Sequence, residues 1–169
     1  DFDALDGVVA QRFTTLSACD ALGVTLCADD SIACPCNNTA APGSGEGCVN
    51  SQGHGARLYA TGTTSVAADD LQLVVLGARP GEPGVWVQGA SEIATPFRDG
   101  LLCAGNPTER LGTVFLDGTG AGSSGLSIVT EGNVAPGDAR VYQLWYRDPS
   151  ISTCGTGSNL SSAVRVHWN

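Results

Sequence analysis

Four of the seven cysteines sit in one stretch, Leu26 to Cys48 (LCADDSIACPCNNTAAPGSGEGC). The stretch is too polar and Gly-rich to bury a core of its own, so its order has to come from covalent staples. The chain has no CxxC pair and no CxxCH, the spacings that announce zinc or haem, which leaves disulfides formed in an oxidising compartment. Pro35 stands between Cys34 and Cys36 and fixes the backbone, so the two sulfurs face different partners and two bridges leave this point. The closure expected first is Cys36–Cys48 around Asn37 to Gly47, worth about 3 kcal/mol in the chain-entropy model, with Cys34 and Cys27 reaching elsewhere.

Downstream of that stretch the chain is punctuated by turns. With 23 glycines and 8 prolines in 169 residues and only 6% aromatics, long helices have little room, while short strands joined by tight turns are well served. Runs of β-branched and aromatic residues bounded by Gly, Pro, Asp and Asn predict strands over 56–67, 71–77, 85–88, 111–116, 126–130, 140–146 and 163–168. Turns are expected at 78–84 (ARPGEPG), 98–100 (RDG), 117–125 (DGTGAGSSG) and 135–140 (APGDAR). Within 141–148 the alternation separates Tyr142, Leu144 and Tyr146 from Val141, Gln143, Trp145 and Arg147, and one set is the core face. Seven strands at this spacing make an antiparallel β-sandwich of jelly-roll or Ig-like type. The N-terminal residues supply one further segment, Val8 to Leu16, read as a strand for its β-branched content, although Leu5, Val8, Val9 and Arg12 also fall at helical spacing.

Charge excludes several classes of partner. All 8 basic residues are arginine, and 17 acids leave a formal charge of −9. Phosphate backbones and anionic membrane surfaces repel such a chain, so nucleic acid is not an expected partner. The absence of lysine removes Schiff-base and isopeptide chemistry. No stretch reaches the roughly 18 apolar residues of a membrane span, and a chain beginning at Asp1 is expected to be a mature, exported protein.

The blocks LCADDSIACPCNN, GCVNSQGHGARLYATGTTSVAADDLQLVVLG, FRDGLLCAG with ERLGTV behind it, GDARVYQLWYRDP and SNLSSAVRVHW resemble, in order and spacing, a Cys-rich β domain found in many secreted proteins of Planctomycetes and related bacteria. The resemblance covers about 27–169. It implies an exported, disulfide-bonded β domain and no established activity, and it takes in six cysteines: Cys27, Cys34, Cys36, Cys48, Cys103 and Cys154. The family pattern usually has CPCGN where this chain has CPCNN, so Asn37 stands in a glycine place. Residues 1–26 then form an arm that this chain adds to the module. Its Cys19 is the odd thiol, a candidate for an intermolecular or arm-tethering bridge.

Candidate chemistry is sparse. Val8, Val9, Arg12, Phe13 and Leu16 could serve as a strand lent to a neighbouring copy, against the plainer role of first strand at home. Trp86, Trp145 and Trp168 are candidate sugar-stacking faces, though strand aromatics are more often core. Calcium is a candidate ligand of Asp29-Asp30, Asp69-Asp70, Asp99 or Asp117, but none has EF-hand spacing and solvated turn acids are favoured. Otherwise no cofactor is expected. Asn37 and Asn159 fit the N-glycosylation sequon. His54 and His167 are the only histidines, and no nucleophile elbow, HExxH or phosphate loop accompanies them, so an enzyme is not expected. The leading expectation is an extracellular structural subunit that assembles with copies of itself through the arm. The alternative is a secreted glycan-binding or adhesion module.

Overall fold

Residues 140–146 form the middle of the principal sheet, and of the two alternating sets Tyr142, Leu144 and Tyr146 face the main core. The computed structural model describes residues 22–28, 32–149 and 151–169. Val8, Val9, Arg12, Phe13, Leu16 and Cys19 lie outside the described residues, as do Asp29 and Asp30. Along the chain come β1 (Val24–Leu26), β2 (Arg57–Thr61), β3 (Gln72–Leu76), β4 (Pro83–Phe97), β5 (Gly100–Phe115), β6 (Gly122–Ser123), a single helical turn α1 (Ile128–Glu131), β7 (Ala139–Arg147) and β8 (Ser158–His167). They build a five-stranded sheet in the order β1-β8-β7-β4-β5 and a three-stranded sheet in the order β2-β3-β6, every described pairing antiparallel. The fold is an all-β sandwich stapled by three disulfides.

The main core lies between the sheets. Trp86, Tyr142, Leu144, Tyr146, Val164, Val166 and Trp168 of the large sheet meet Leu58, Ala60, Leu73 and Val75 of the small one, with Ile128 of α1 closing one side. Each large apolar side chain buried this way contributes about 1.5–3 kcal/mol. Three of the buried aromatics also satisfy their polar tips: Trp168 Nε1–H donates to Tyr142 Oη at 3.0 Å, and Tyr146 Oη accepts from Asn50 Nδ2 at 3.2 Å.

Two expectations are corrected here. Residues 126–130, predicted as a strand, run instead into α1 at Ile128. Ser127 Oγ accepts the Thr130 N–H at 3.0 Å, and Asp69 accepts from Ser127 Oγ and from the Val129 N–H, so capping outweighs the β-branched content of so short a run. Val24–Leu26, grouped with the arm in the sequence, pair with Arg165, Val164 and Ala163 of β8 and belong to the sandwich.

β4 and β5 are much longer than their legible apolar runs. Their distal halves, Gly89–Phe97 and Gly100–Gly105, leave the plane of the sheet at register shifts flanking Val87, Gly89 and Glu92. Close approach requires glycine at this bend: a Cβ on Gly89 would stand 2.6 Å from the backbone of Ala104 and Gly105. The hairpin then arches over the second face of the sheet. Gln143 of β7 holds it there, accepting the Cys103 N–H at 3.0 Å and donating to the carbonyls of Leu101 and Ser161 at 2.8 and 2.7 Å. Leu101, Cys103 and Ala104 thereby cover Val87, Val141 and Ala163 in a second apolar cluster.

The disulfides tie the arch and the cysteine stretch to this frame. The bridges are Cys27–Cys103, Cys34–Cys48 and Cys36–Cys154. Cys34 and Cys36 do take different partners, but the expected Cys36–Cys48 closure is replaced by Cys34–Cys48. The reason is the tight turn over 34–39. Cys34 N–H donates to Thr39 Oγ1 and Cys36 N–H to Asn38 Oδ1, which leaves Cys34 buried beside Cys48 and carries Cys36 outward to the loop of Cys154. Asn37, in the glycine place of the family pattern, has φ +55°, a left-handed conformation that asparagine tolerates.

Candidate functional site

The arch covers only part of the second face. Beyond it, the register aligns a row across four strands: Thr113 of β5, Val85 of β4, Trp145 of β7 and Leu160 of β8. Side chains two residues along each strand share that face, which brings Val87 beside the row on one flank and Pro83, Phe115, Arg147 and Ser158 on the other, while the register shift between Trp86 and Val87 sets Arg110, three residues from Thr113, opposite Val87. Phe115 is 78% exposed, an unusual state for phenylalanine on a strand, and Trp145 is half-buried.

Trp145 is held rigidly. Its Nε1–H donates to Ser158 Oγ at 3.1 Å, and Phe97, at the end of β4, meets its ring edge-on at 5.4 Å and 75°. Three adjoining hollows share this indole. One of about 170 Å³ is bounded by Phe97, Leu102, Thr108 and Arg110, one of about 140 Å³ by Pro83, Val85, Thr113 and Arg147, and one of about 210 Å³ by Arg98, Arg147, Thr156 and Ser158.

The charge around the indole is one-sided. Arg110 lies over the Trp145 ring at 5.6 Å and Arg98 over the Phe97 ring at 5.7 Å, while Arg147 borders two of the hollows. All three are exposed, and none forms an ion pair with a carboxylate among the described residues. By contrast Arg140 pairs with Asp138 and Arg165 with Glu92. In a chain of net charge −9, these three guanidiniums, without a carboxylate partner among the described residues, stand around one indole.

The other sequence candidates go elsewhere. Trp86 and Trp168, proposed as stacking faces, are 0% and 3% exposed in the core, because β4 and the residue that follows β8 turn them toward the small sheet. Asn159 is fully buried, its Nδ2 donating to the carbonyls of Cys48 and Val49, so the folded protein withholds that sequon, whereas Asn37 is exposed. Asp69, Asp70, Asp99 and Asp117 each accept N–H or hydroxyl donors of nearby residues, the work of turn and cap acids. Among the described residues no group of three metal-ligating side chains comes together, and no helix is long and apolar enough to cross a membrane.

Asp99 sits at the hairpin turn expected at 98–100. Burial raises its pKa, but hydrogen bonds from the Thr156 and Ser152 hydroxyls and the N–H groups of Cys154 and Thr156 outweigh burial and hold the carboxyl below its usual value. Asn38 Nδ2 donates to the Asp99 carbonyl at 2.8 Å, joining the cysteine stretch to the same turn. Burial pushes the Tyr142 and Tyr146 phenols well above their ordinary value. His54 and His167 are exposed, and the Ser51 hydroxyl donates to Asp148 rather than to an imidazole.

Phe97, Arg98, Arg110 and Arg147 were not singled out by sequence. The spacing of Trp145 and Arg147 along β7 carried a signal, since it places an indole and a guanidinium on one face. Comparison of the chain with protein-family models, with curated proteins and with solved structures finds no match.

Proposed function

We propose that the chain is a non-enzymatic extracellular module that binds a glycan on the open part of the β4–β5–β7–β8 face, with Trp145 as the stacking platform. Three disulfides suit an oxidising, extracellular setting. One observation carries the proposal: of three tryptophans, two are core, and the third is a rigid, half-exposed indole on which three hollows converge. Apolar C–H faces of a pyranose ring stack on such a surface, while its hydroxyls and substituents reach the polar rim. A glycan array probed with wild-type protein and with Trp145→Ala tests it. Glycan spots retained by the wild type and lost by the variant support it. A blank array for the wild type overturns it.

A second reading, homotypic assembly through the arm, is favoured by a different observation. β1, which residues 1–21 precede in the sequence, is an edge strand whose one partner among the described residues is β8, and Val24 on it is 48% exposed. Such an edge can accept a strand from another copy. Electron microscopy of unreduced protein beside a version lacking residues 1–18 tests this, with filaments that vanish on truncation as the supporting result and dispersed particles in both samples as the opposing one.

A further inference from the structure

Glycan binding at Trp145 leaves the kind of glycan open, and the arginines around the indole narrow it. We infer that the ligand of this face is an acidic polysaccharide, its carboxylate or sulfate groups taken by Arg98, Arg110 and Arg147 while a sugar ring lies against Trp145. This inference rests on the glycan-binding proposal above and adds the charge of the ligand.

The first ground is complementarity against the background of the whole molecule. Seventeen acids outnumber eight arginines, and a neutral ligand would need no cluster of guanidiniums. Of the described arginines, Arg140 and Arg165 are spent on Asp138 and Glu92, and the Arg79 Nη1 donates to Ser51 Oγ. Arg98, Arg110 and Arg147 border the hollows around one indole without a carboxylate partner among the described residues. Exposed guanidiniums resting on aromatic rings keep their hydrogen-bonding edges outward, the geometry that takes a carboxylate or sulfate through two parallel N–H donors.

The second ground is the shape of the site, which separates a sugar polymer from an acidic peptide. A peptide strand gains affinity at a sheet edge, where unpaired N–H and C=O groups await it. This site lies on a sheet face, where the backbone of β4 and β7 is already paired on both sides. What the face offers is a ring to stack on, shallow hollows and cations at their rims. Successive acidic residues of a polysaccharide fit that pattern.

Native affinity electrophoresis in gels cast with matched polymers tests the inference. Polygalacturonate is compared with its fully methyl-esterified form, and dextran sulfate with dextran, so that within each pair only the charge changes and carboxylate is distinguished from sulfate. The expected result is retardation by one charged polymer at least tenfold stronger than by its neutral counterpart, weakening as salt is raised. Against a protein of net charge −9, such retention cannot come from overall attraction. The triple change Arg98→Gln, Arg110→Gln, Arg147→Gln is expected to abolish the preference, and Trp145→Ala to weaken retention by either polymer. An Arg57→Gln variant, altered away from the site, is expected to behave as wild type.

Equal retardation by charged and neutral partners overturns the acidic-ligand inference and leaves glycan binding standing. No retardation in any gel, with a blank glycan array, overturns both. Retention of a synthetic peptide of residues 1–18 in place of any polysaccharide also overturns the inference, and assigns the face to the acidic arm of another copy. Unchanged thermal melting of the variants separates lost binding from lost folding.

Discussion

The carboxylate of Asp99 accepts the backbone N–H of Cys154 at 3.1 Å, so one acid at the tip of the β4–β5 arch holds the loop that carries the Cys36–Cys154 bridge. Thr156 adds its N–H at 3.2 Å and its hydroxyl to the same carboxylate, and the Asp99 N–H donates to Ser158 O at 3.1 Å. The floor of the candidate site therefore depends on this junction, because Phe97 and Arg98 immediately precede Asp99 and Ser158 anchors Trp145.

Asp99→Asn is expected to destabilise the fold by about 2–3 kcal/mol at neutral pH, the cost of weakening several charge-assisted hydrogen bonds in a buried place. Because the folded-state pKa lies below the ordinary aspartate value, the stabilisation from ionised Asp99 is complete above that ordinary value and lost as pH falls through the folded pKa. Thermal melts of the wild type from pH 6 down to pH 2 should show a fall in Tm at the acid end that is shallower in Asp99→Asn. Parallel curves would show that the junction does not titrate as described.

Removing a bridge should cost more the longer the loop it closes, with a logarithmic dependence on length. Cys36–Cys154 spans 118 residues and Cys27–Cys103 spans 76, for which the chain-entropy model gives about 4–5 kcal/mol each, while Cys34–Cys48 spans 14 and gives about 3 kcal/mol. Denaturant titration of the three paired Cys→Ser variants should rank the short bridge as the least costly. Non-reducing peptide mapping should return these three pairings and no Cys36–Cys48 peptide.

Gly89→Ala should cost about 1–3 kcal/mol, since its new methyl must displace the backbone of Ala104 and Gly105 rather than a mobile side chain. Gly81→Ala, at φ +71° but with open space around it, is expected to cost less, about 1 kcal/mol. Equal losses in denaturant titrations would mean that the bend does not depend on close approach.

The two kinds of tryptophan should separate stability from binding. Trp86→Ala empties a fully buried site and is expected to cost about 3–5 kcal/mol, whereas Trp145→Ala removes a half-exposed ring and should cost markedly less. Chemical denaturation of both variants checks the order.

The sandwich itself was legible because strands such as Gln72–Leu76 and Ala139–Arg147 are rich in β-branched and aromatic residues and stop at Gly77 and at Asp148-Pro149. The distal arch was not. GASEIATPF and GLLCAG carry little β pattern, and they extend because they pair with each other and because Gln143 receives them from β7. Alternation in β7 identified Tyr142, Leu144 and Tyr146 as one face, yet it could not show that the opposite face is half covered, which is what makes Gln143 a buried anchor and Trp145 a rim residue. The same ambiguity hid the burial of Trp86 and Trp168. Cysteine spacing indicated staples, but the choice of Cys34 over Cys36 for Cys48 depended on a turn shaped by Thr39 and Asn38. Arg98, Arg110 and Arg147 converge only once β4, β5 and β7 are laid side by side.

Indole N–H resonances offer the most direct test of ligand binding at Trp145, because the three tryptophans give three separate Nε1–H reporters. Titration of ¹⁵N-labelled protein with galacturonate oligosaccharides should move the Trp145 resonance, which is hydrogen-bonded to Ser158 at the rim of the hollows, and leave those of Trp86 and Trp168 in place. A saturating titration that leaves Trp145 unmoved, whether or not other resonances shift, would contradict the placement of the glycan on this face.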